Sequence, residues 1–574
     1  MIPRFYSVLV LLSFSLSVSS LAQNPALSAS LDPWWKHALF YEIYPRSFQD
    51  SNGDGVGDLN GITSRLDYLH SLGVDAIWIA PCFPSPLVDF GYDVSDYDAI
   101  DPQFGTLADM DRLITEGNKR HIRILLDMVV NHTSDQHSWF IESRSNKTNP
   151  KRDWYIWRDG KVGPDGKMGP PNNWHSVFGG PAWTLDPATG QYYYHRFYAQ
   201  QPDLNWRNPV VEKAMFDQMR FWLDRGIAGF RLDAVDTLLE DPALGDEEYR
   251  RDPKGEIMHD RVGTPMTSGG KTSNLPEIHE IIRRMRTMIE SYPDDRVLIG
   301  ETYLPDVIAL DKWYGGAAKD ELQLPMDTQV GVRSTLNAST WRQRLEEAET
   351  GIHGSLPLLV YDNHDNSRLD RYCKESNGAA QGADCRQIQK MLETVLLTSR
   401  DVALIYYGDE IGMATDTAPT EPNRRRDAER TPMQWTAGKN AGFSTADKTW
   451  LPVSPDFKNV NVEVETSEPD SLLAWHKALI ELRRSNTALR NGEQSLFPAG
   501  NDSVVAYTRT AGGQQVVVLT NFSGGAQETK MGTLSGKRVQ ILKANFEPVI
   551  SNGVLSNTLT LPPYGALVAE VSPY

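Results

Sequence analysis

The chain of 574 residues predicts an α/β protein: a (β/α)8 barrel with a subdomain inserted after its third strand and an antiparallel β domain at its C-terminal end. Three observations predict it. The length exceeds one ordinary core and suits an expanded barrel of ~250 residues plus a further domain. Short apolar segments alternate with amphipathic ones. The apolar segments end in polar residues rich in carboxylates, as barrel strands do at the face that carries chemistry.

Candidate strands are Ala38–Tyr44, Ala76–Ala80, Arg123–Val129, Gly229–Ala234, Val297–Glu301, Leu356–Asp362 and Val402–Tyr407, with the sixth in barrel order placed within Glu321–Gln329. Helical periodicity separates them at Ile62–Leu72, Leu107–Lys119, Val211–Arg225 and Glu277–Ser291. An irregular stretch from His132 to Asn205, with PPNNWHSVFGGPAW inside it, is too long for a plain connection and is expected to form a subdomain. Past Ser485 the helical pattern gives way to alternating segments such as VVAYTRT and QQVVVLTNF, which predict a small β domain. The expected organisation is residues 1–22 as a leader, 33–131 and 206–485 as the barrel, 132–205 as the insert and 486–574 as the β domain.

The net charge of -18 and pI near 5.2 argue against a nucleic-acid partner, because phosphate binding relies on clustered Lys and Arg. One Arg, an apolar stretch from Phe5 to about Val18 and small residues up to Ala22 read as a cleavable signal peptide, so the expected location is secreted or periplasmic. The stretch is shorter than the ~20 residues that span a bilayer, and no membrane association is expected after its removal. Of three cysteines, Cys373 and Cys385 flank a Gly- and Ala-rich loop and could pair, a bond the sequence leaves open, whereas Cys82 at the end of an apolar strand reads as a buried free thiol.

Asp127, Asp233, Glu301 and Asp365 each end a different strand, and a barrel gathers such ends into one cleft. Any strand must exit into something polar, which explains one or two such residues but not a set so rich in carboxylates. Cleaving a glycosidic bond with retention needs two carboxyl groups ~5–5.5 Å apart, one ionised and one protonated. Crowding raises the proton affinity of at least one. Arg231, two residues before Asp233, shares its face of the strand and is placed to keep it ionised.

DMVVNH (Asp127–His132), GFRLDAV (Gly229–Val235), IGET (Ile299–Thr302) and DNHD (Asp362–Asp365) resemble, in order, the four signature regions of the α-amylase superfamily, glycoside hydrolase family 13, and QPDLNW (Gln201–Trp206) is similar to its fifth. YEIYPRSFQDSNGDGVGDLNGI, FGYDVSDY and RDAERTPMQW (Arg426–Trp435) resemble the maltase and oligo-1,6-glucosidase group within it. The resemblance runs from about Trp34 to beyond Tyr507. It implies a TIM barrel and a retaining, exo-acting α-glucosidase. Asp233 is then the nucleophile, Glu301 the acid/base, and Asp365 the residue that favours the distorted transition state. His132 and His364 are expected to donate to glucose hydroxyls and Arg231 to orient the nucleophile. The resemblance also implies that Asp89 pairs with Arg430 to close the non-reducing end, with Tyr92 as a stacking ring; otherwise such a pair is a surface salt bridge of little worth. Phe178, Phe197 and Gln201 match pocket-lining positions, although for the two Phe core packing is an equal reading. Arg424 to Arg426 read as part of the RDAERTPMQW loop and not as a phosphate site.

The loop DSNGDGVGD offers Asp50, Asn52, Asp54, the Val56 carbonyl and Asp58 at alternate positions, an oxygen set suited to Ca2+. It lacks the bidentate Glu and flanking helix pair of an EF-hand, and a solvated turn is the competing reading. The family often holds a structural Ca2+ there; no organic cofactor is expected. Ala234 follows the nucleophile, where a small residue resembles α-1,4-acting maltases and a Val resembles enzymes preferring α-1,6 bonds, so maltose and short maltooligosaccharides are the expected substrates, with α-1,6 cleavage or glucosyl transfer as side activities and an oligo-1,6-glucosidase as the alternative. A glucosyl-transferring relative, such as a sucrose isomerase or transglucosidase, shares these catalytic residues. An amino-acid transporter heavy-chain ectodomain is the non-enzymatic relative, some of which lack catalytic carboxylates that this chain retains.

Overall fold

In the computed structural model, residues 32–163, 166–376, 383–416 and 422–572 are described, and the expected leader lies outside them. Eight strands, β1 (Leu39–Ile43), β2 (Ala76–Ile79), β3 (Arg123–Val129), β4 (Gly229–Asp233), β5 (Val297–Gly300), β6 (Leu324–Gly331), β7 (Leu358–Val360) and β8 (Val402–Tyr406), pair in chain order and close where β8 meets β1. All pairings are parallel, with Leu39 against Ala403 at the closure. The sixth strand starts inside the expected window and runs two residues beyond it.

Side chains alternate along each strand, and the two parities have different fates. One parity fills the barrel interior with Ala38, Phe40, Trp78, Leu125, Val297, Ile299, Leu324, Met326, Leu358, Val360, Val402 and Leu404. The other, including Tyr41, Ile77, Leu126, Phe230, Leu298, Leu359 and Ile405, packs outward under the helices. Continued toward the carboxyl ends, the inward parity delivers Glu42, Asp127, Arg231, Asp233 and Glu301 to the mouth. The strand sequence therefore decides which polar residues reach the cleft.

The intervening helices start where capping chemistry says they must. Leu107–Lys119 carries a reciprocal capping box between Thr106 and Asp109. Pro209–Asp224 begins with Pro after an Asn208 cap. Ile278–Glu290 buries Ile278, Ile281, Ile282, Met285, Met288 and Ile289 on one stripe.

The insert forms a three-stranded antiparallel sheet (Trp157–Arg158, Gln191–Tyr194, Trp183–Asp186) over its own cluster of Ile156, Trp174, Trp183, Tyr192 and Tyr194. Bridges from His132 to Asp203 and from Tyr155 to Leu204 close its neck. A second excursion, residues 238–276 between β4 and its helix, was not foreseen; it carries isolated bridges such as Tyr249 to Thr267 and leans on the insert through His175 and Asp260, 2.9 Å apart. C-terminal to the barrel, five antiparallel strands lie in the order Glu493–Leu496, Val504–Ala511, Gln514–Asn521, Ala566–Ser572, Arg538–Ala544. One face of that sheet, with Val505, Tyr507, Val516 and Val518, joins the outer barrel core. Cys373 and Cys385, whose pairing the sequence left open, form a disulfide. Cys82 is free and buried, and burial pushes its thiol up to about 12.

Candidate active site

Strand register sets which polar side chains meet at the mouth. Asp127 lies beside Arg231 and Val129 beside Asp233. The Glu301 amide donates to Leu232 O at 3.0 Å, so Glu301 and Asp233 emerge at one level of adjacent strands. The Arg231 guanidinium, fully buried, binds three carboxylates: Asp127 Oδ1 at 2.9 Å, Asp233 Oδ1 at 2.6 Å and Glu301 Oε1 at 2.9 Å. A buried cation with so many carboxylates is a preorganised electrostatic centre. Directly after Asp233 the chain turns left-handed at Ala234 (φ 46°), which aims its amide at Glu301 Oε2, 2.9 Å away. That backbone state costs about 1–2 kcal/mol for a residue with a Cβ.

Burial raises the Glu301 carboxyl to about 8, opposed by Arg231 and reinforced by Asp233. Burial also raises Asp233, with Arg231 opposing it at closer range. Of the two carboxyls Glu301 is pushed the higher, the direction that suits an acid beside an ionised neighbour. Asp365 goes the other way: burial disfavours its charge, but Arg426, His364 and Arg430 hold it well below the usual carboxylate range. Burial keeps His132 neutral, its pKa lowered to about 4.

Asp89, Tyr92, His132, Phe178, Phe197, Asp233, Glu301 and Asp365 line one cavity of about 480 Å³ at the mouth. Its size falls in the range of small-ligand sites. Phe178 and Phe197 face each other, ring centres 5.7 Å apart, so the lining reading of these residues fits better than core packing.

The expected pairing of Asp89 with Arg430 is corrected. Asp89 Oδ1 meets Arg426 at 2.5 Å, and its other oxygen accepts from Gln201 at 3.0 Å. Arg430 instead binds Asp365 Oδ1 at 2.7 Å and donates to the His364 carbonyl at 2.8 Å. Arg426 also reaches Asp365 at 2.7 Å, so it bridges both acids at the closed end. The two arginines stand four positions apart around the helical segment Pro422–Glu429, which carries both toward the mouth and seats Arg430 deeper.

Gln201, Arg231, His364 and Arg430 are buried behind the cavity wall. His364 has both ring nitrogens engaged by protein, Nδ1 by Glu42 Oε1 at 2.6 Å and Nε2 by the Tyr92 hydroxyl at 2.6 Å, and it stacks on Tyr92 at 5.3 Å. It therefore positions Tyr92 in this structure, where a direct contact with glucose was expected. Glu42 was missed; a lone acid in the apolar segment LFYEI was the available signal. Tyr303 and Asn274 also line the cavity, the latter from the unforeseen excursion.

In the 50–58 loop, Asp50 accepts from the amides of Asn52, Gly53 and Gly55 and from the Ser444 hydroxyl, which fills its lone pairs. Asp58 caps the helix Leu59–Ser64 through Gly61 N at 2.7 Å. Asp54 accepts from Val56 N at 2.8 Å, and Asn52 from Asp54 N at 2.9 Å. As arranged, the oxygens serve the turn, and among the described residues no group of three or more His, Cys, Asp or Glu is gathered for a metal.

A closed parallel barrel whose mouth holds paired carboxylates on a buried arginine defines a class, and the chain belongs to the α-amylase family of glycoside hydrolases. The family model for the alpha amylase catalytic domain matches residues 42–492, and that for the alpha-amylase SusG C-terminal domain matches residues 504–568. Among curated relatives, the chain is 38% identical over 524 residues to an oligo-1,6-glucosidase of Parageobacillus thermoglucosidasius, covering 83% of this chain and 88% of that one. It is 39% identical over 510 residues to maltase A2 of Drosophila melanogaster, covering 84% and 85%. The solved structure of isomaltulose synthase from Erwinia rhapontici NX5 superposes with a TM-score of 0.82 at 33% identity, covering 95% of this chain and all of that one. Among the described residues no helix is long and apolar enough to cross a membrane.

Proposed function

We propose that the chain is a retaining, exo-acting α-glucosidase that releases glucose from the non-reducing end of maltose and short α-glucans. The observation that carries this reading is the shared guanidinium: Asp233 and Glu301 sit on the two amino groups of Arg231, at 2.6 and 2.9 Å. Such sharing favours the close spacing of retaining enzymes, ~5–5.5 Å, over the ~6.5–9.5 Å that leaves room for a water. The Asp233 carboxylate attacks the anomeric carbon while Glu301 gives its proton to the departing oxygen, leaving a glucosyl ester. Glu301, now ionised, takes a proton from water, whose oxygen attacks the same carbon and frees Asp233. Asp89, Arg426 and Asp365 seal the far end, which favours a terminal sugar over a mid-chain one. A panel of maltose, isomaltose, sucrose, trehalose and starch tests the reading; isomaltose cleaved much faster than maltose would overturn the linkage preference, and starch as the best substrate the exo action.

The likeness to isomaltulose synthase supports a second reading, glucosyl transfer, in which a sugar in place of water takes the glucosyl group. Products formed from sucrose and maltose separate the two, free glucose marking hydrolysis.

Two further statements belong to this proposal. Export through residues 1–22 fits the Cys373–Cys385 bond, since disulfides persist in oxidising compartments; N-terminal sequencing of the mature protein tests it. A structural Ca2+ in the 50–58 loop would use Asn52, Asp54, Asp58 and the Val56 carbonyl, and would need Asp50 to release a backbone amide. Melting with and without chelator tests it, an unchanged midpoint counting against the metal.

A further inference from the structure

The opposite, amino-terminal end of the barrel has a cavity of its own, about 290 Å³, between the strand entries and the start of the C-terminal sheet. His37, Gln323, Leu356 and Arg400 lie just before β1, β6, β7 and β8, and Arg490 to Gly492 form the other wall. The charges are one-sided. Lys36, Arg286, Lys319, Arg400, Arg490 and Arg509 line it against a single carboxylate, Asp32, in a protein whose net charge is -18.

The cations differ in how they are compensated. Lys36 binds Asp32 at 2.7 Å, Arg286 binds Glu290 at 2.6 Å and Arg400 binds Glu349 at 2.9 Å. Among the described residues, Lys319, Arg490 and Arg509 have no carboxylate within 4.0 Å. Arg509 is 1% exposed and gives three hydrogen bonds to the carbonyls of Gly492 and Thr398, leaving two of its five N–H unused. Burial, aided by nearby Arg483 and opposed by Tyr507, Asp401 and Glu349, lowers Arg509 to about 10, as expected of a cation held out of water without a direct ion pair. Arg490 also lines an adjoining cleft with Arg123, Arg483 and Arg484, where Asp32 and Asp75 oppose them and Asp75 pairs with Arg484. Trp35 contributes a half-buried ring to the same wall.

We propose that this cleft binds a phosphate-bearing small molecule, with Lys319, Arg490 and Arg509 taking the phosphate and Trp35 facing any sugar body attached to it. Arginine forks match phosphate oxygens in pairs, and the volume suits one sugar phosphate better than a polymer. The cleft is at the far end of the barrel from Asp233 and Glu301, so it is a separate site from the one that handles glucosides.

Calorimetric titration of the full chain with inorganic phosphate and with glucose 6-phosphate tests this, in the wild type and in Lys319→Gln/Arg490→Gln. Both substituted residues are exposed and break no ion pair, so the variant is expected to fold and to hydrolyse maltose as the wild type does. The expected result is saturable binding that weakens at least ~10-fold in the variant and as salt rises. Tighter binding of glucose 6-phosphate than of phosphate assigns the Trp35 wall to the sugar; equal binding assigns the site to phosphate alone. Absence of binding at millimolar anion, or equal affinity in wild type and variant, overturns the proposal.

Discussion

The two ends of the barrel carry charge in opposite ways. At the carboxyl end, Arg231, Arg426 and Arg430 are locked to Asp89, Asp127, Asp233, Glu301 and Asp365, so the fold itself supplies every counter-charge. At the amino end, Lys319, Arg490 and Arg509 line a cavity and, among the described residues, form no ion pair within 4.0 Å. The two arrangements suit different work. A compensated cluster is rigid and tunes proton affinity, as chemistry requires; an uncompensated one awaits its partner from solution.

The largest expected effect falls on the compensated end. Asp233→Asn and Glu301→Gln should each lower kcat for maltose by at least ~10²-fold while the folded circular-dichroism signal is kept. A variant retaining a tenth or more of wild-type kcat would sink the assignment. Next is Arg426→Ala, which strips two acids of one cation. Removing a partner from an enclosed pair costs ~3–5 kcal/mol, less for a guanidinium that is 22% exposed, so kcat/KM should fall ~10²-fold and Arg426→Lys should recover part of it. If Arg426→Ala were silent, the sealed end described here would be wrong.

Ala234→Val should shift the ratio of isomaltose to maltose cleavage toward isomaltose by ~1–3 kcal/mol, the scale of a methylene-sized change in a pocket. Initial rates on the two sugars check it. The pH profile then tests the proton assignment. Glu301, raised to about 8, is protonated below that value and loses its proton as pH rises through it, so kcat/KM should fall on the alkaline side with a midpoint near 8. The same shift means that its contribution to stability is full below its ordinary value and fades up to about 8. An alkaline limb unmoved from pH 5 would refute the raised acid. The smallest effect is away from both ends: reducing Cys373–Cys385, a span of 12 residues, should lower the melting midpoint by a few degrees and leave kcat for maltose unchanged.

The sequence was informative where physics is periodic. Apolar strands and their inward parity made the barrel visible, and the carboxylates at the strand ends made the mouth visible. Arg426 and Arg430 were confused because one lies on a helical segment and the other just past its end, and only the packing of that segment decides which reaches Asp89. Glu42 escaped notice because a single acid inside a strand is defined by its partner His364, 322 positions away. The excursion at 238–276 has no repeating pattern; its shape comes from contacts with the insert, such as Trp174 Nε1 to Gly245 O at 2.9 Å.

Closure of the barrel has a consequence for how the protein comes into being. Leu39 finds its neighbour Ala403 only after more than half of the chain has been made. Until then β1 has no partner on that side, and an open strand edge is a template for wrong pairing. The barrel therefore cannot close before its last strand has been made, and that strand is the latch between β7 and β1.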